Sequence, residues 1–240
     1  MNLVIDAGNT FIKAGIFDKN ELVAKKKFNS HKKNSIAQWI CKYNIDKSLL
    51  ASVSLSSNQI KKFLPKKVHI SIFSYKTKLP VKNLYTTPQT LGGDRITAVV
   101  GANFLYPKQN NLIIDAGTCL TFDFINKNGE YVGGSISPGI EMRLKSLHNF
   151  TQKLPLIKVI ENTELIGKST NESILSGVQN GIIEEVTGMV KNYESKFLKI
   201  NVLLTGGDAG FFENRLKKRI FAHPDLVLIG LNTILQYNLK

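Results

Sequence analysis

The sequence predicts an α/β fold of two related domains, each a mixed sheet flanked by helices. Three observations carry this. The stretch Leu3-Val4-Ile5-Asp6-Ala7-Gly8-Asn9-Thr10 returns in altered form as Leu112-Ile113-Ile114-Asp115-Ala116-Gly117-Thr118. In both copies a β-branched apolar run, the mark of a buried strand, ends on Asp and leaves through a tight Ala-Gly turn. Around each copy strands alternate with helical segments, the pattern of sheets covered by helices. The chain also has 240 residues, 42% hydrophobic and 21% charged, enough for one large core or two small ones. Pro107 to Asn111 reads as the junction, giving domains at 1–108 and 109–240.

Taken in order, the strand through Asp6 is followed by an amphipathic partner, Phe11 to Phe17, and by a third strand, Glu21 to Phe28, which makes a meander. Ser35 to Tyr43 has helical spacing, with Ile36, Trp39, Ile40 and Tyr43 on one face. Leu49 to Leu55 reads as a strand, Gln59 to Leu64 as a short helix, Val68 to Phe73 as another strand, and Pro80 to Thr90 as an irregular loop. Leu91-Gly92-Gly93 breaks the chain before an Ala/Val-rich helix that starts near Asp94. The second half repeats the hairpin, with Leu120 to Ile125 as its return strand. Gly-rich Tyr131 to Gly139 then leads into a helix at about Ile140 to Leu147. After a loop over 151–167, Ile174, Gly177, Val178, Gly181, Ile182, Val186 and Val190 trace one long helix. Its glycines suggest close helix packing, in a core or across a subunit interface. Val202 to Thr205 is a buried strand that meets Gly206-Gly207 just before a helix, and Leu226 to Tyr237 is an apolar closing helix.

The chemistry suggested by the repeat is phosphate binding. Each turn offers a carboxylate, bare amides and a hydroxyl; amides and hydroxyls suit phosphate oxygens, and a carboxylate beside them holds a cation. One copy alone is an ordinary turn, since Asp, Gly and Asn are the commonest turn formers. The duplication argues for two jaws of a nucleotide clamp. Asp94 has a plain role available as the cap of its helix. Arg95 in the same turn opposes the helix dipole, and an anionic ligand would account for it. Gly206 and Gly207 sit where a ribose or adenine could rest on bare backbone. Gly167-Lys168-Ser169-Thr170 is not a P-loop, because Asn162 stands where that motif needs Gly and no strand precedes it. His31, His69, His148 and His223 show no catalytic pairing.

Composition narrows the classes further. The formal charge is +14, concentrated in residues 1–100, which hold 17 Lys/Arg against 5 Asp/Glu. The excess is lysine in short runs (Lys25 to Lys27, Lys32-Lys33, Lys61-Lys62, Lys66-Lys67) without interleaved aromatics, expected in turns and on exposed helix faces. Arginine, the usual reader of bases, occurs only at 95, 143, 215 and 219. A solvated surface is therefore preferred to a nucleic-acid surface. Cys41 and Cys119 have no metal spacing and fit a reducing, cytoplasmic setting. No signal peptide and no membrane span are expected; the longest apolar run, Leu226 to Leu235, is interrupted by Asn232 and Thr233.

Six pieces in order resemble the type III pantothenate kinases over nearly the whole chain. They are Asp6-x-Gly8-Asn9-Thr10-x-x-Lys13, Gly92-x-Asp94-Arg95, Asp115-x-Gly117-Thr118, Gly133-Gly134-x-Ile136-x-Pro138-Gly139, Thr170 before Ser176-Gly177, and Thr205-Gly206-Gly207. The resemblance implies the acetate kinase, sugar kinase, Hsp70 and actin superfamily: two ribonuclease-H-like domains with an ATP cleft between them. It implies phosphorylation of the pantothenate hydroxyl to 4'-phosphopantothenate, the first step of coenzyme A biosynthesis, with ATP, Mg²⁺ and a monovalent cation (K⁺ or NH₄⁺), in a homodimer.

By the same resemblance Asp6, Ala7, Gly8, Asn9, Thr10, Phe11, Ile12 and Lys13 form a first phosphate loop, with Asp6 near Mg²⁺ and Lys13 near the phosphates. Thr118 belongs to a second phosphate loop, Asp115 helps to bind the monovalent cation, and Gly206 and Gly207 lie by the adenosine. Asp94 is the general base, and Tyr85, Gly92, Gly93, Arg95 and Thr170 line the pantothenate site. Two departures stand out: Gly93 where alanine is frequent, and Cys119-Leu120 after Thr118. The alternative is a non-enzymatic accessory transcriptional regulator using the basic half on DNA, in which the three carboxylates would be dispensable.

Overall fold

The computed structural model describes residues 1–8, 11–29, 34–52, 68–213, 215–216 and 220–239. Asn9, Thr10, the end of the expected strand to Leu55 and the helix expected over Gln59–Leu64 lie outside them. Contacts divide the chain into two compact units. One is Met1–Lys108 with Ile125–Val132 and Asp225–Lys240; the other is Gln109–Phe124 with Gly133–Pro224.

In the first unit β1 (Asn2–Ala7), β2 (Phe11–Asp18) and β3 (Glu21–Asn29) form the expected antiparallel meander. Helix α1 (Asn34–Ile40) leads to β4 (Lys47–Ser52), which runs parallel to β1, and β5 (Ser71–Ile72) adds in parallel to β4. The sheet order is β3-β2-β1-β4-β5. One face buries Leu3, Ile5, Ala7, Ile12, Ala14 and Ile16 against Ile36, Trp39 and Ile40 of α1. α1 stops earlier than the spacing predicts, but Tyr43 still reaches Trp39 edge-on at 5.4 Å, which is why the apolar periodicity runs past the helix. β5 is also shorter than the apolar run Val68–Phe73 predicts. The lysines 25–27 stand exposed on β3, an edge strand rather than a turn or helix, where charge blunts pairing with other chains.

The other face of this sheet carries α2 (Gly93–Leu105) and the closing helix, numbered α7 below after the elements that precede it in the chain. The polar stretch before α2 is not wholly irregular: β6 (Lys82–Asn83) pairs in parallel with Glu130 and Tyr131.

The second unit opens with β7 (Asn111–Ala116), β8 (Cys119–Ile125) and β9 (Glu130–Pro138), then α3 (Ile140–Asn149). α4 (Thr170–Leu175), a π-helical turn (Ser176–Asn180) and α5 (Gly181–Phe197) follow one another without a break, so the long helix read from the sequence is present with one π turn inside it. β10 (Asn201–Thr205), α6 (Ala209–Glu213), β11 (Phe221–Ala222) and α7 (Leu226–Tyr237) complete the chain. The strand order is β11-β10-β7-β8-β9-β6, with β10 parallel to both β7 and β11. Apart from the added β6 this is the order of the first sheet, so the repeat in sequence is a repeat in topology. Leu112, Ile114, Ala116, Leu120, Phe122 and Phe124 pack against Ile140, Leu144, Ile182, Val186 and Val190.

The wider π turn has a local cause. Gln179, buried in it, donates to Ile160 O and accepts from Ile160 N, both at 3.0 Å. Ser176 donates to Leu165 O (2.6 Å) and Asn180 to Glu164 O (3.2 Å), so three side chains of the turn hold the backbone of the irregular 151–169 segment. Gly177, Gly181 and Gly188 have no neighbour within 4 Å of where a Cβ would stand, so they line no close helix contact among the described residues.

α7 belongs to the first unit although it ends the sequence, because it meets α2 at two glycines. A Cβ on Gly230 would stand 1.8 Å from Thr97 O, and one on Gly101 2.4 Å from Leu226 O. Asn232, buried on α7, donates to Lys19 O (2.8 Å) and accepts from Asn2 (2.9 Å), tying the helix to the β2–β3 turn. No described helix is long and apolar enough to cross a membrane.

Candidate active site

In the first unit the site residues gather where β1 ends. Asp6 is half-buried and cross-strand from Lys13 of β2. Its carboxyl is raised from 3.8 to about 6, first by burial and then by the neighbouring Asp94, while Lys13 pulls the other way. Asp6, Lys13 and Asp94 therefore share one electrostatic neighbourhood. Ala7 and Ile12, by contrast, are fully buried core side chains, so only their backbone could face a ligand. Gly8 N donates to Phe11 O (3.1 Å) to close the turn, and Phe11, 39% exposed, lies under the Lys27 ammonium at 3.6 Å.

Asp94 is not the cap of α2. Gly92 is the N-cap and makes no side-chain bond; Asp94 stands inside the first turn, where its Oδ1 accepts from Arg95 N at 2.9 Å. A Cβ on Gly92 would stand 2.6 Å from that oxygen, so Gly92 is what leaves the carboxylate room. Gly93 is different: a Cβ there would make only ordinary contact with Phe73 at 3.4 Å, which suits the alanine frequent at this place.

Arg95 is buried, and its guanidinium lies 5.7 Å from the Tyr85 ring centre, within cation–π range. Tyr85 in turn stacks on buried Tyr131 at 6.0 Å and 10°. Tyr85 is brought there by β6, through Leu84 N to Tyr131 O (3.0 Å) and the Lys82–Glu130 pair (2.9 Å). Tyr131 went unrecognised in the sequence, where it was only the first residue of a Gly-rich strand.

In the second unit Asp115 is half-buried at the end of β7, opposite Thr205 in register, and Thr118 is exposed in the turn. Glycines crowd this turn. A Cβ on Gly206, whose φ is +102°, would stand 2.1 Å from Ala116 O, and one on Gly139 2.1 Å from Gly117 O. Gly139 N also donates to Thr118 O (3.1 Å), and Asp208 N to Ala116 O (2.8 Å). Gly206 is thus sterically required beside the turn, whereas Gly207 is open and exposed. Thr170 is exposed at the start of α4, after the N-cap Ser169. It lines a cavity of about 950 Å³ with Arg143, Ser146, Lys168, Ser169 and Ser173.

The donor set near Asp6 fits a hard divalent cation. Two carboxylates share a partly dry neighbourhood, and a cation would offset the cost of ionising Asp6. Among the described residues no group of three or more His, Cys, Asp or Glu could hold a metal. Mg²⁺ does not need one, since it takes one or two carboxylates and completes its shell with phosphate and water.

Duplicated five-strand order, with a carboxylate ending the central strand of each copy, defines the class: the ribonuclease-H-like fold shared by sugar kinases and actin-like ATPases. The family follows from comparison. The model of the family described as type III pantothenate kinase matches residues 2–192. A type III pantothenate kinase of Cytophaga hutchinsonii is 46% identical over 239 residues, covering 99% of this chain and all of the other. Another, of Phocaeicola vulgatus, is 44% identical with both chains covered in full. The chain belongs to the type III pantothenate kinase family.

Solved structures share the fold at lower identity. A Campylobacter jejuni protein assigned to the Baf family of transcriptional activators has a TM-score of 0.64 at 21% identity, covering 98% of both chains. The activator of the 2-hydroxyisocaproyl-CoA dehydratase of Clostridium difficile, solved with ADPNP, has a TM-score of 0.55 at 14%, covering 98% of this chain and 93% of that one.

The raised carboxyl makes stability depend on pH with a definite sign. Above pH 6 the folded state holds Asp6 ionised against its surroundings; below 3.8 the carboxyl is protonated whether folded or not and the cost disappears. Asp6→Asn should therefore stabilise the ligand-free protein by up to about 3 kcal/mol at pH 8 and by almost nothing at about pH 3. Thermal unfolding of both proteins across that range measures it, and a gain equal at both ends would contradict the assignment.

Proposed function

We propose that the chain transfers the γ-phosphoryl group of ATP to the hydroxyl of pantothenate, with Asp94 as general base. The observation that carries this is the placing of Asp94 beside Asp6 and Lys13, in a chain that belongs to the family over its length. The hydroxyl oxygen forms the new bond to phosphorus as its proton passes to the Asp94 carboxylate, and the bond to the bridging oxygen breaks to release ADP. Such transfers depend on positioning and on neutralising charge, and the base contributes about 10²–10⁴-fold.

The Thr118 hydroxyl and the Lys13 ammonium take the nucleotide phosphates, and Gly8 and Gly117 let the backbone of their turns come close to them, their own N–H groups being bonded to Phe11 O and Cys119 O. Asp6 is the residue for Mg²⁺, which when bound neutralises phosphate charge, and Asp115 the residue for K⁺ or NH₄⁺. Gly206 and Gly207 serve the adenosine; bare backbone at Gly206 is consistent with that, though its first duty is fitting against Ala116. Tyr85, Gly92, Gly93, Arg95 and Thr170 bind pantothenate, with buried Arg95 as the cation for its carboxylate. A homodimer is favoured by the open glycines of the α4–α5 segment and by Leu165 and Ile166, 80% and 75% exposed. Each unit carries one turn, and the cytoplasm, where ATP is plentiful, is the setting.

A coupled assay with ATP, Mg²⁺, K⁺ and pantothenate, run beside other hydroxy acids and sugars, tests this. Asp94→Asn should lower kcat by about 10²–10⁴-fold with ATP affinity kept; normal turnover would remove Asp94 from the mechanism.

The two adjacent glycines give a finer test. Gly92→Ala displaces the Asp94 oxygen and should cost on the order of 10²-fold in kcat. Gly93→Ala, whose Cβ meets Phe73 only in ordinary contact, should cost far less in kcat than Gly92→Ala and stabilise the helix by about 1 kcal/mol. Equal loss in both variants would contradict the steric account.

A further inference from the structure

We propose that Arg143 is a positioning residue for the Thr118 turn, held in its own place by Glu185; this rests on the reading of that turn as a phosphate binder. Neither residue belongs to any of the six pieces that carry the family resemblance. Arg143 stands in the first turns of α3. Its Nε donates to Pro138 O (2.8 Å), and its Nη2 donates both to Ser137 Oγ (2.7 Å) and to the Glu185 carboxylate on α5. One planar group thus grips the last two residues of β9 and anchors them to a helix of the core.

The next residue, Gly139, transmits this grip. Its N donates to Thr118 O, and its Cα is so close to the turn that a Cβ would stand 2.1 Å from Gly117 O and 2.7 Å from Thr118 O. A shift of the β9 end is therefore a shift of the surface on which the Gly117-Thr118 backbone rests. The guanidinium fork satisfies these acceptors together, which a lysine ammonium on a flexible stem does not. Both side chains are only about a quarter exposed, 23% and 28%, so water replaces the pair poorly.

Arg143→Met, Arg143→Lys and Glu185→Gln separate the possibilities. Binding of a non-hydrolysable ATP analogue is measured by calorimetry, KM for pantothenate by the coupled assay, and amide exchange at 115–119 without ligand by mass spectrometry. Expected are about tenfold weaker nucleotide binding in Arg143→Met, incomplete rescue by lysine, and faster exchange at the turn, with the pantothenate KM within about twofold of the parent. Glu185→Gln, the milder change if Arg143→Met fails to fold, should move the same quantities less, and the double variant should be no worse than Arg143→Met.

A rise in pantothenate KM of the same size would overturn the proposal, because Arg143 also lines the cavity that holds Thr170 and would then be contacting substrate. A lowered melting temperature with unchanged nucleotide affinity would overturn it as well. Thr118→Ala distinguishes the two levels. If it binds nucleotide normally, the phosphate-turn reading fails and takes the proposal with it; if it binds weakly while the Arg143 variants bind normally, the proposal alone fails.

Discussion

A strand buried on both faces can carry a carboxylate only near its end, where one side of the sheet opens. β1 and β7 obey this in the same way. Leu3, Val4, Ile5 and Ala7 are buried and Asp6 between them is partly exposed; Leu112, Ile113, Ile114 and Ala116 are buried and Asp115 alone is partly exposed. The apolar residues fix each strand at the centre of its sheet, between an antiparallel neighbour and a parallel one. That placement delivers the acid to the mouth of the turn, while the hydrophobic driving force of the core holds it there at the cost of partial desolvation. The raised Asp6 carboxyl is the visible sign of that cost. Everything assigned to the first unit's chemistry is arranged around this point: Lys13 comes from the next strand, and Asp94 from a helix whose contact with α7 fixes it by two glycines.

The second unit meets the same problem with different means. Where the first unit lays a long helix near its turn, the second packs backbone on backbone. Gly139 and Gly206 come within a carbonyl's reach of Gly117 and Ala116, so the turn is held by neighbours that have no side chains to yield. Close packing of this kind is stiff, since a single methyl group would have nowhere to go. Stiffness suits the phosphate-binding role proposed for this turn, because misplacement by an ångström loses most of the benefit.

Much of this was legible in the sequence, and the exceptions have physical reasons. The duplication, the meander and the order of strands and helices follow from apolar patterning, which the core enforces. β6 escaped because two polar residues, Lys82 and Asn83, pair by backbone alone and leave no hydrophobic trace. The π turn escaped because its apolar stripe continues through it, and only Gln179's bond to distant Ile160 reveals the extra residue. Asp94 read as a cap because the residue type and position allow it, but Gly92 takes the cap and frees the carboxylate. At Gly206 the sequence shows that a side chain is missing, and only the structure shows that Ala116 O leaves it no room. Tyr131 and Arg143 were invisible for the same reason: their partners are remote in the chain.

The likeness to a structure assigned to transcriptional activators concerns fold only, and the basic surface that suggested DNA is in part explained by Lys25 to Lys27 guarding a sheet edge. The central proposal is that each copy of the Asp-Ala-Gly turn takes nucleotide phosphate. Hydrogen–deuterium exchange with and without the Mg²⁺ complex of a non-hydrolysable ATP analogue tests it most directly. Slowed exchange in peptides covering both 6–13 and 115–119 is the expected result; protection confined to one copy, or absent from both, would contradict the account.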